Sequence, residues 1–259
     1  MDLQLKGKRA LVTGASAGLG AAAALALAKE GVDVTINARG EEKLEKTANM
    51  ILGETAVKPV LAPGDVAREN DIDRILETAA DVDILVVNSG GPPPGQFIDL
   101  ALSQWGEAHR LLLASAIRLT RGVIDGMLER KWGRLIYITS IAVLQPVNDL
   151  ILSNTYRAGV TGLCKTISNN YAVHGLTANC VCPGYTATER LQSLAQKRAE
   201  AASTTAEAEL AAFAADVPAG RLGRPEELAA LITFLASDRA AYITGVSIPV
   251  DGGLMRALI

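Results

Sequence analysis

The chain is poor in the residues that mark disulfide-bonded and metal-binding proteins. Its 259 residues include three cysteines, Cys164, Cys180 and Cys182, which are too few and too clustered for a disulfide framework. We expect them to be reduced, buried thiols. Neither of the two histidines, His109 and His174, has a second His or Cys at a metal-ligand spacing, so the sequence predicts no metal site.

Charge of one sign and long apolar runs are also missing. Lys and Arg total 25 against 28 for Asp and Glu, and no basic block is present, which argues against a nucleic-acid partner. The longest apolar run, Ala21 to Ala28, is far below the roughly 20 residues that span a bilayer. The segment from Met1 to Lys6 has no apolar signal region. We therefore expect a cytoplasmic chain with a small-molecule substrate and no membrane partner.

Short runs rich in β-branched residues alternate with longer Ala- and Leu-rich stretches, which is the pattern of β-α-β units. The run from Ile84 to Val87 is apolar throughout, as expected for a strand with helices on both faces. We predict one domain over residues 1–259 with a doubly wound α/β Rossmann fold and a mainly parallel seven-stranded sheet. The predicted strands are Arg9 to Thr13, Asp33 to Asn37, Val57 to Leu61, Asp83 to Val87, Arg134 to Thr139, Thr177 to Val181 and Val246 to Val250.

Helices fill the intervals between the predicted strands. Two of them are long, from about Ser103 to Lys131 and from about Leu150 to His174. The segment from Arg190 to Asp216 is helical by propensity but has a weak apolar stripe, which favours a mobile surface element over the substrate. We interpret it as a substrate lid, with a plain surface hairpin as the alternative.

A glycine-rich loop follows the first predicted strand directly. It reads Thr13-Gly14-Ala15-Ser16-Ala17-Gly18-Leu19-Gly20, and an Ala-rich helix begins there. Glycine permits positive φ and lets the backbone approach a pyrophosphate, which is bound by the N–H groups of a helix N-terminus. This order of strand, turn and helix predicts a dinucleotide site, and the missing Gly-Lys-Ser/Thr excludes a P-loop.

The spacing Thr13-Gly14-x3-Gly18-x-Gly20 resembles the glycine motif of the classical short-chain dehydrogenase/reductase family, in its 3-oxoacyl-reductase-like form. Asp65-Val66 is similar to the family's adenine-contacting pair, Asn88-Ser89-Gly90 to its turn after the fourth strand, and Pro183-Gly184-x3-Thr188 to its nicotinamide loop. The resemblance implies a nicotinamide dinucleotide cofactor and a homodimer or homotetramer paired through the two long helices. The cofactor-binding residues then expected are Gly14, Ser16, Ala17, Gly18, Leu19, Gly20, Arg39, Asp65, Val66, Asn88, Ser89, Gly90, Arg157, Pro183, Gly184, Thr186 and Thr188.

The end of the second strand favours NADP over NAD. An acidic residue at this place accepts hydrogen bonds from the ribose hydroxyls and repels a 2′-phosphate. The sequence here is Ile36-Asn37-Ala38-Arg39, without an acid, and Arg39 is able to pair with the phosphate. An ordinary solvated arginine is the alternative, and NAD then stays open.

The active site departs from the family's pattern of an Asn, a Ser and a Tyr-x3-Lys pair. Ser140 supplies the serine, but thirteen residues later Ser153 stands at the tyrosine position, and Arg157 stands at the lysine position. The asparagine position falls at about Leu112 when Trp105 anchors the comparison. Only one of the four usual residues is kept.

This departure removes the family's proton relay. A tyrosine with a reference pKa of roughly 10 serves as acid or base when a cation shifts it, whereas a serine hydroxyl does not. Arg157 is able to hydrogen-bond the nicotinamide ribose but not to relay a proton. Tyr156 is either a replacement acid or a packing residue. Asn148, Asp149 and Tyr185 are either rim residues or part of the pocket, and the insertion Gly91-Pro92-Pro93-Pro94-Gly95 either shapes the pocket or is a rigid connector.

The sequence therefore predicts an NADP(H)-linked oxidoreductase that acts on a carbonyl or an alcohol. Ser140, Ser153 and Arg157 are expected to polarise the substrate oxygen, and water or Tyr156 to carry the proton. Two alternatives stay open: a dinucleotide-binding sensor or scaffold without redox turnover, and a non-redox lyase or hydrolase on the same fold. The sequence does not identify the substrate.

Overall fold

The computed structural model describes residues 1–258 and contains one seven-stranded sheet in the order β3-β2-β1-β4-β5-β6-β7. Every pair of neighbouring strands is parallel. The predicted Rossmann fold is confirmed. The strands are β1 Arg9–Val12, β2 Asp33–Ile36, β3 Val60–Leu61, β4 Ile84–Val87, β5 Gly133–Ile138, β6 Leu176–Pro183 and β7 Ser247–Val250.

Helices cover both faces of this sheet. They are α1 Gly18–Lys29, α2 Glu41–Glu54, α3 Glu69–Ala79, α4 Leu102–Ala108, α5 Ser115–Arg130, α6 Ile151–Tyr171, α7 Glu189–Ala202, α8 Ala206–Asp216 and α9 Pro225–Ala236. One core packs α1, α2 and α9 against the sheet, and the other packs α3, α5 and α6 against the opposite face. Successive strand residues alternate between the two cores, since Val86 belongs to the first and Leu85 to the second.

The long helix predicted from Ser103 to Lys131 is interrupted. A π-helical stretch, His109–Ala114, separates α4 from α5, and Ser115 Oγ donates to the carbonyl of Leu111 at 2.6 Å. Widened helical turns of this kind occur often beside functional sites. The second long helix, predicted to reach His174, ends at Tyr171 and continues as a short 3₁₀ turn over Ala172–His174.

The segment from Arg190 to Asp216 forms two helices, as a surface hairpin does. Helix α7 ends where Ser203 adopts a φ of 54°, and α8 begins after Thr205, whose hydroxyl accepts a hydrogen bond from the N–H of Ala208 at 3.2 Å. Phe213 is buried between the two helices with Leu191 and Ala195. The hairpin therefore has a small core of its own.

The three cysteines are buried and free. Within residues 1–258, no group of three or more His, Cys, Asp or Glu side chains is placed to hold a metal ion. Over the same residues, each helix is too short or too polar to cross a membrane.

Candidate active site

The glycine loop between β1 and α1 has the backbone that its sequence predicts. Gly14 and Gly18 adopt φ values of 58° and 55°, in the left-handed region that favours glycine. A Cβ at Gly20 would lie 2.3 Å from the carbonyl oxygen of Gly14, so only glycine fits there. The loop therefore turns tightly, and no side chain at its glycines covers its backbone groups.

Helix α1 begins in this loop without a side-chain cap. The N–H groups of its first turn are thus available to an anion, and the helix dipole favours negative charge at this end. Asn88, which follows β4, fixes the loop from the other side because its Nδ2 donates to the carbonyl of Gly14 at 3.1 Å. The hydroxyl of Thr13 donates to the carbonyl of Asn88 at 2.7 Å and ties the same two strands together.

A cavity of about 410 Å³ opens at the carboxyl ends of the strands, beside this loop. In doubly wound sheets, ligands bind at this edge, where the strand order reverses between β1 and β4. Most of the predicted site residues line it. They are Gly14, Ser16, Ala17, Gly18, Leu19, Arg39, Asn88, Ser89, Gly90, Ser140, Ser153, Arg157, Pro183, Gly184, Thr186 and Thr188.

Three predicted cofactor residues are absent from this lining. Gly20 packs behind the loop, against Gly14. Asp65 and Val66 follow β3, where the carboxylate of Asp65 accepts a hydrogen bond from the N–H of Ala67 at 2.9 Å and Val66 is buried. Their predicted contact with an adenine stays a prediction.

The end of β2 places one cation at the cavity. Arg39 is exposed and lines it. The nearby Asn37 is buried and has a structural role, because its Nδ2 donates to the carbonyls of Ala62 and Gly64 at 2.8 and 3.1 Å. Asn37 is thus held by the backbone after β3, and Arg39 is the polar side chain from this strand end that faces the cavity.

Ser140 stands just beyond the end of β5 and caps a short 3₁₀ turn. Its Oγ accepts a hydrogen bond from the N–H of Ala142 at 3.1 Å. A hydroxyl that accepts in this way keeps its own hydrogen for another partner. Because Ser140 also lines the cavity, that hydrogen is available to a substrate oxygen.

Ser153 and Arg157 lie one turn apart on α6, so both side chains face the same cavity. Nη1 of Arg157 donates to the main-chain carbonyl of Ile138 at 2.8 Å. Burial and the nearby charge of Arg190 lower the pKa of Arg157 to about 10, which still leaves the guanidinium charged at neutral pH. The structure thus brings Ser140, Ser153 and Arg157 together; their catalytic role stays a prediction.

A second, much smaller cavity of about 10 Å³ lies behind Arg157. It is lined by Ser89, Thr139, Arg157 and Leu112, the residue aligned with the family's asparagine. Leu112 is buried and belongs to the π-helical stretch. The position that carries asparagine in the family thus lies in a widened helical turn and has an apolar side chain in this protein.

Tyr156 lies outside the cavity lining, which disfavours its role as replacement acid. Its ring packs against those of Trp105, at 6.1 Å between centroids, and His109, at 5.7 Å. The physical reason is helical geometry, since a residue next to Arg157 is turned by about 100° away from the direction that Arg157 faces. Of the two interpretations of Tyr156, the geometry fits the packing one.

The loop after β5 is paired with the insertion after β4. Gly95 donates from its N–H to the carbonyl of Asp149 at 2.8 Å and forms a parallel bridge with Leu150. Asp149 has a φ of 62° and its carboxylate binds Gln96. Asn148 and Asp149 do not line the cavity, whereas the neighbouring Val147 and Leu150 do.

Tyr185 and Arg190 line the cavity from the side of α7. The ring of Tyr185 lies 4.6 Å from that of Phe213, and burial raises the pKa of its phenol. Arg190, which the sequence pattern does not single out, donates from Nη2 to the carbonyl of Pro92 at 2.7 Å. Its place two residues after Thr188 of the nicotinamide-loop motif is the signal that points to it.

Comparisons with known proteins agree with this geometry. Residues 14–255 match the family model described as enoyl-(acyl carrier protein) reductase. The 3-oxoacyl-[acyl-carrier-protein] reductase FabG of Vibrio cholerae is 33% identical over 256 residues, covering 97% of this chain and 99% of its own. The uncharacterized oxidoreductase YvaG of Bacillus subtilis is 33% identical over 264 residues, with both chains fully covered. The crystal structure of L-sorbose reductase from Gluconobacter frateurii, complexed with NADPH and L-sorbose, superposes with a TM-score of 0.94 at 31% identity and covers 100% of both chains.

Proposed function

Since the chain belongs to the classical short-chain dehydrogenase/reductase family and is a short-chain oxidoreductase, we propose that it is an NADP(H)-dependent enzyme for a carbonyl or alcohol substrate that works without the family's Tyr-x3-Lys pair. The observation that carries this proposal is the meeting of Ser140, Ser153 and Arg157 in the same cavity as the glycine loop.

The residues present fit a dinucleotide. The bare glycine backbone and the uncapped start of α1 suit a pyrophosphate, and a Cβ at Gly18 would come within 3.3 Å of Thr188 across the cleft. Asn88 to Gly90 and Pro183 to Thr188 would hold the nicotinamide half. Arg157 would hydrogen-bond the nicotinamide ribose in place of the family's lysine.

Arg39 supports the choice of NADP over NAD. A guanidinium pairs with a phosphate through charge-assisted hydrogen bonds, and the end of β2 carries no acid that would repel it. NADPH is also the dinucleotide in the complex of L-sorbose reductase from Gluconobacter frateurii.

When bound, NADPH supplies a hydride to a carbonyl carbon and leaves as NADP⁺. The carbonyl oxygen, which takes up the electron pair of the C=O bond, accepts hydrogen bonds from the hydroxyls of Ser140 and Ser153 and from Arg157. Preorganised donors of this kind stabilise developing negative charge. Arg157 is oriented for this by its hydrogen bond to Ile138.

The proton comes from water in this mechanism. Tyr156 is packed among aromatic rings, and Tyr185 keeps its proton because burial raises the pKa of its phenol. Neither serine is an acid near neutrality. Water reaches the cavity because Arg39, Glu189 and Arg190, which line it, are exposed to solvent.

Two further features belong to the proposal. The hairpin of α7 and α8 serves as the substrate lid, since its first turn lines the cavity through Glu189, Arg190 and Leu191. The chain forms a homodimer or homotetramer through α4, α5 and α6, as in the family.

Calorimetric titration of the purified chain with NADPH and NADH, together with NADPH absorbance across classes of carbonyl compounds, tests the proposal. We expect tighter binding of NADPH and oxidation of NADPH with at least one class. Arg39→Ala should reduce the ratio of NADPH affinity to NADH affinity. Arg121 is an exposed arginine of α5 that does not line the cavity, so Arg121→Ala should leave this ratio unchanged. Binding without oxidation would favour the sensor or scaffold, and neither binding nor oxidation would favour a lyase or hydrolase.

A further inference from the structure

Two cations face the cavity without an acidic partner. Arg157 on α6 and Arg190 in the first turn of α7 both line it. Within residues 1–258, each guanidinium binds only a main-chain carbonyl, that of Ile138 for Arg157 and that of Pro92 for Arg190. Neither cation forms an ion pair with a carboxylate of that part of the chain.

The one arginine that is almost fully buried in residues 1–258, Arg134, is paired with a carboxylate. The side chain of Arg134 is 3% exposed, and its Nη2 lies 2.9 Å from the carboxylate of Asp238. A guanidinium taken out of water is costly unless an anion pairs with it. Glu189 also lines the cavity and precedes Arg190, but its carboxylate pairs with Lys43, at 3.3 Å between Oε2 and Nζ. Arg157 is half-buried and Arg190 is exposed, and neither guanidinium has a carboxylate partner, so an anion that bridges the two would come from a bound molecule.

Arg190 contacts the insertion after β4. Its guanidinium lies directly over Gly91, where a Cβ would approach Nη2 to 2.7 Å. A side chain at position 91 would have to displace this guanidinium, and the adjacent Pro92 supplies the carbonyl that accepts the hydrogen bond from Nη2. The insertion after β4 thus contacts the guanidinium of Arg190 where it borders the cavity.

The two cations are close enough to influence each other. Burial comes first and the charge of Arg190 second among the causes that lower the pKa of Arg157. Two like charges that line the same cavity attract a common anion. Two guanidinium forks suit the paired oxygens of a carboxylate in particular.

We propose that Arg157 and Arg190 form a carboxylate subsite, so that the natural substrate is a small oxo acid or the corresponding hydroxy acid. The proposal rests on the proposed function, because it names the substrate class for the same cavity. The carboxylate would lie between α6 and α7, beside Ser140 and Ser153. Arg157 has five N–H donors, one of which binds Ile138, so the others suffice for the carboxylate, the reacting oxygen and the nicotinamide ribose.

The phosphates of the dinucleotide have other partners in the cavity. The glycine loop and the start of α1 suit the pyrophosphate, and Arg39 stands at the end of β2, at the opposite side of the strand order from β5 and β6. Arg157 and Arg190 lie on the β5 and β6 side, with Ser140. Their anion is therefore assigned to the substrate.

Calorimetry on the full chain saturated with NADP⁺ tests this subsite. The probes are pyruvate, acetoacetate and levulinate, each measured against its methyl ester. Three variants are compared with the natural chain: Arg190→Gln removes the charge, Gly91→Ala keeps the charge and displaces it, and Lys197→Gln is the control. Lys197 is exposed on the same helix α7 and does not line the cavity.

We expect at least one acid to bind more tightly than its ester. Arg190→Gln and Gly91→Ala should each lower the affinity for that acid by about tenfold or more, which is the usual effect of losing a charged hydrogen bond. The affinities for the ester and for NADP⁺ should stay within about twofold of those of the natural chain. Lys197→Gln should change none of the three affinities. If no acid binds better than its ester, or if Arg190→Gln weakens acid and ester alike, the subsite is wrong. A loss of NADP⁺ affinity alone would assign Arg190 to the cofactor and would also overturn it.

Failure of the proposed function is recognised separately. If the natural chain does not bind NADP⁺, the proposed function is wrong, whatever the acids do. The same titrations without nucleotide then decide the subsite by the ratio of acid to ester affinity in the natural chain and in Arg190→Gln.

Discussion

Arg157 is anchored to Ile138, whose main-chain carbonyl accepts a hydrogen bond of 2.8 Å from Nη1. Ile138 is the last residue of β5, and Ser140 follows two residues later. The hydrogen bond therefore holds a guanidinium that is charged at neutral pH at the cavity that Ser140 also lines. A guanidinium in this place offers several donors to a substrate oxygen and no proton that it gives up at neutral pH.

This arrangement predicts an unusual dependence of the reductase rate on pH. Burial and Arg190 lower the pKa of Arg157 to about 10, so Arg157 is charged at lower pH and loses its charge only as the pH rises through about 10. Burial raises the pKa of Tyr185, which stays neutral over the same range. We expect a profile of kcat without a titration midpoint between about pH 6 and 9. A midpoint near neutrality would reveal a side-chain acid that the present mechanism lacks.

Restoring the family pair tests the register of α6. The double variant Ser153→Tyr with Arg157→Lys places a tyrosine and a lysine four residues apart on the helix face that lines the cavity. We expect it to fold, to bind NADPH and to reduce small generic ketones about 10²-fold faster than the natural chain, with a new pH midpoint. The gain is limited because Leu112 still occupies the asparagine position.

Arg157→Lys alone is the matched control for this double variant, because it changes the cation without adding a phenol. It should not acquire the new pH midpoint. A natural chain that already reduces such ketones rapidly, with a slower double variant, would mean that Ser153 and Arg157 form a complete site of their own.

Gly20 tests the glycine loop. Gly20→Ala would bring a Cβ to 2.3 Å from the carbonyl oxygen of Gly14 and 2.9 Å from Nδ2 of Asn88. We expect a loss of about 1–3 kcal/mol in the free energy of unfolding, as for other overpacked sites, and greatly weakened NADPH binding. Urea unfolding and calorimetry measure the two effects.

Gly53→Ala is the control for Gly20→Ala. Gly53 lies on α2, and a Cβ added there would meet no other atom within 4 Å. Alanine should therefore stabilise the chain by about 0.5–1 kcal/mol and leave NADPH binding unchanged. Equal NADPH affinity in both variants would contradict the role assigned to the loop.

Assembly is tested by light scattering. Ile117 on α5 is 44% exposed, which suits a face covered by another subunit. At micromolar concentration we expect a mass of two or four times the 27.1 kDa of the chain. Ile117→Arg should shift the mass toward a single chain, and Met50→Arg on α2, which is 39% exposed, should not. A mass of one chain for the natural protein would contradict the expected oligomer.

Local signals make much of this molecule predictable. The glycine loop is predictable because its conformation needs positive φ at Gly14 and Gly18, which glycine permits. The strand Ile84–Val87 is predictable because a strand that is buried on both faces needs apolar residues throughout. The predicted strands agree with the observed ones to within a few residues, with β6 longer than expected because it runs on to Pro183. These features depend on residues close together in the sequence.

Other features depend on contacts between distant segments. The π-helical stretch at His109–Ala114 contains three consecutive leucines, Leu111 to Leu113, so the apolar pattern does not show where the helical turn widens. The place of Arg190 depends on Gly91 and Pro92, about a hundred residues earlier, which approach it only in the folded chain. Sequence pattern alone gives no sign of such a meeting.

Isotope labelling follows the transferred hydride itself into the product. The purified chain is incubated with NADPH that carries deuterium at both positions of nicotinamide C4, together with ketones, oxo acids and aldehydes, and the products are examined by mass spectrometry. We predict deuterium on the former carbonyl carbon of at least one product, with the transfer reduced by Arg157→Gln. NADPH binding that is intact by calorimetry, with no deuterium in any product, would contradict a redox enzyme built on Ser140, Ser153 and Arg157.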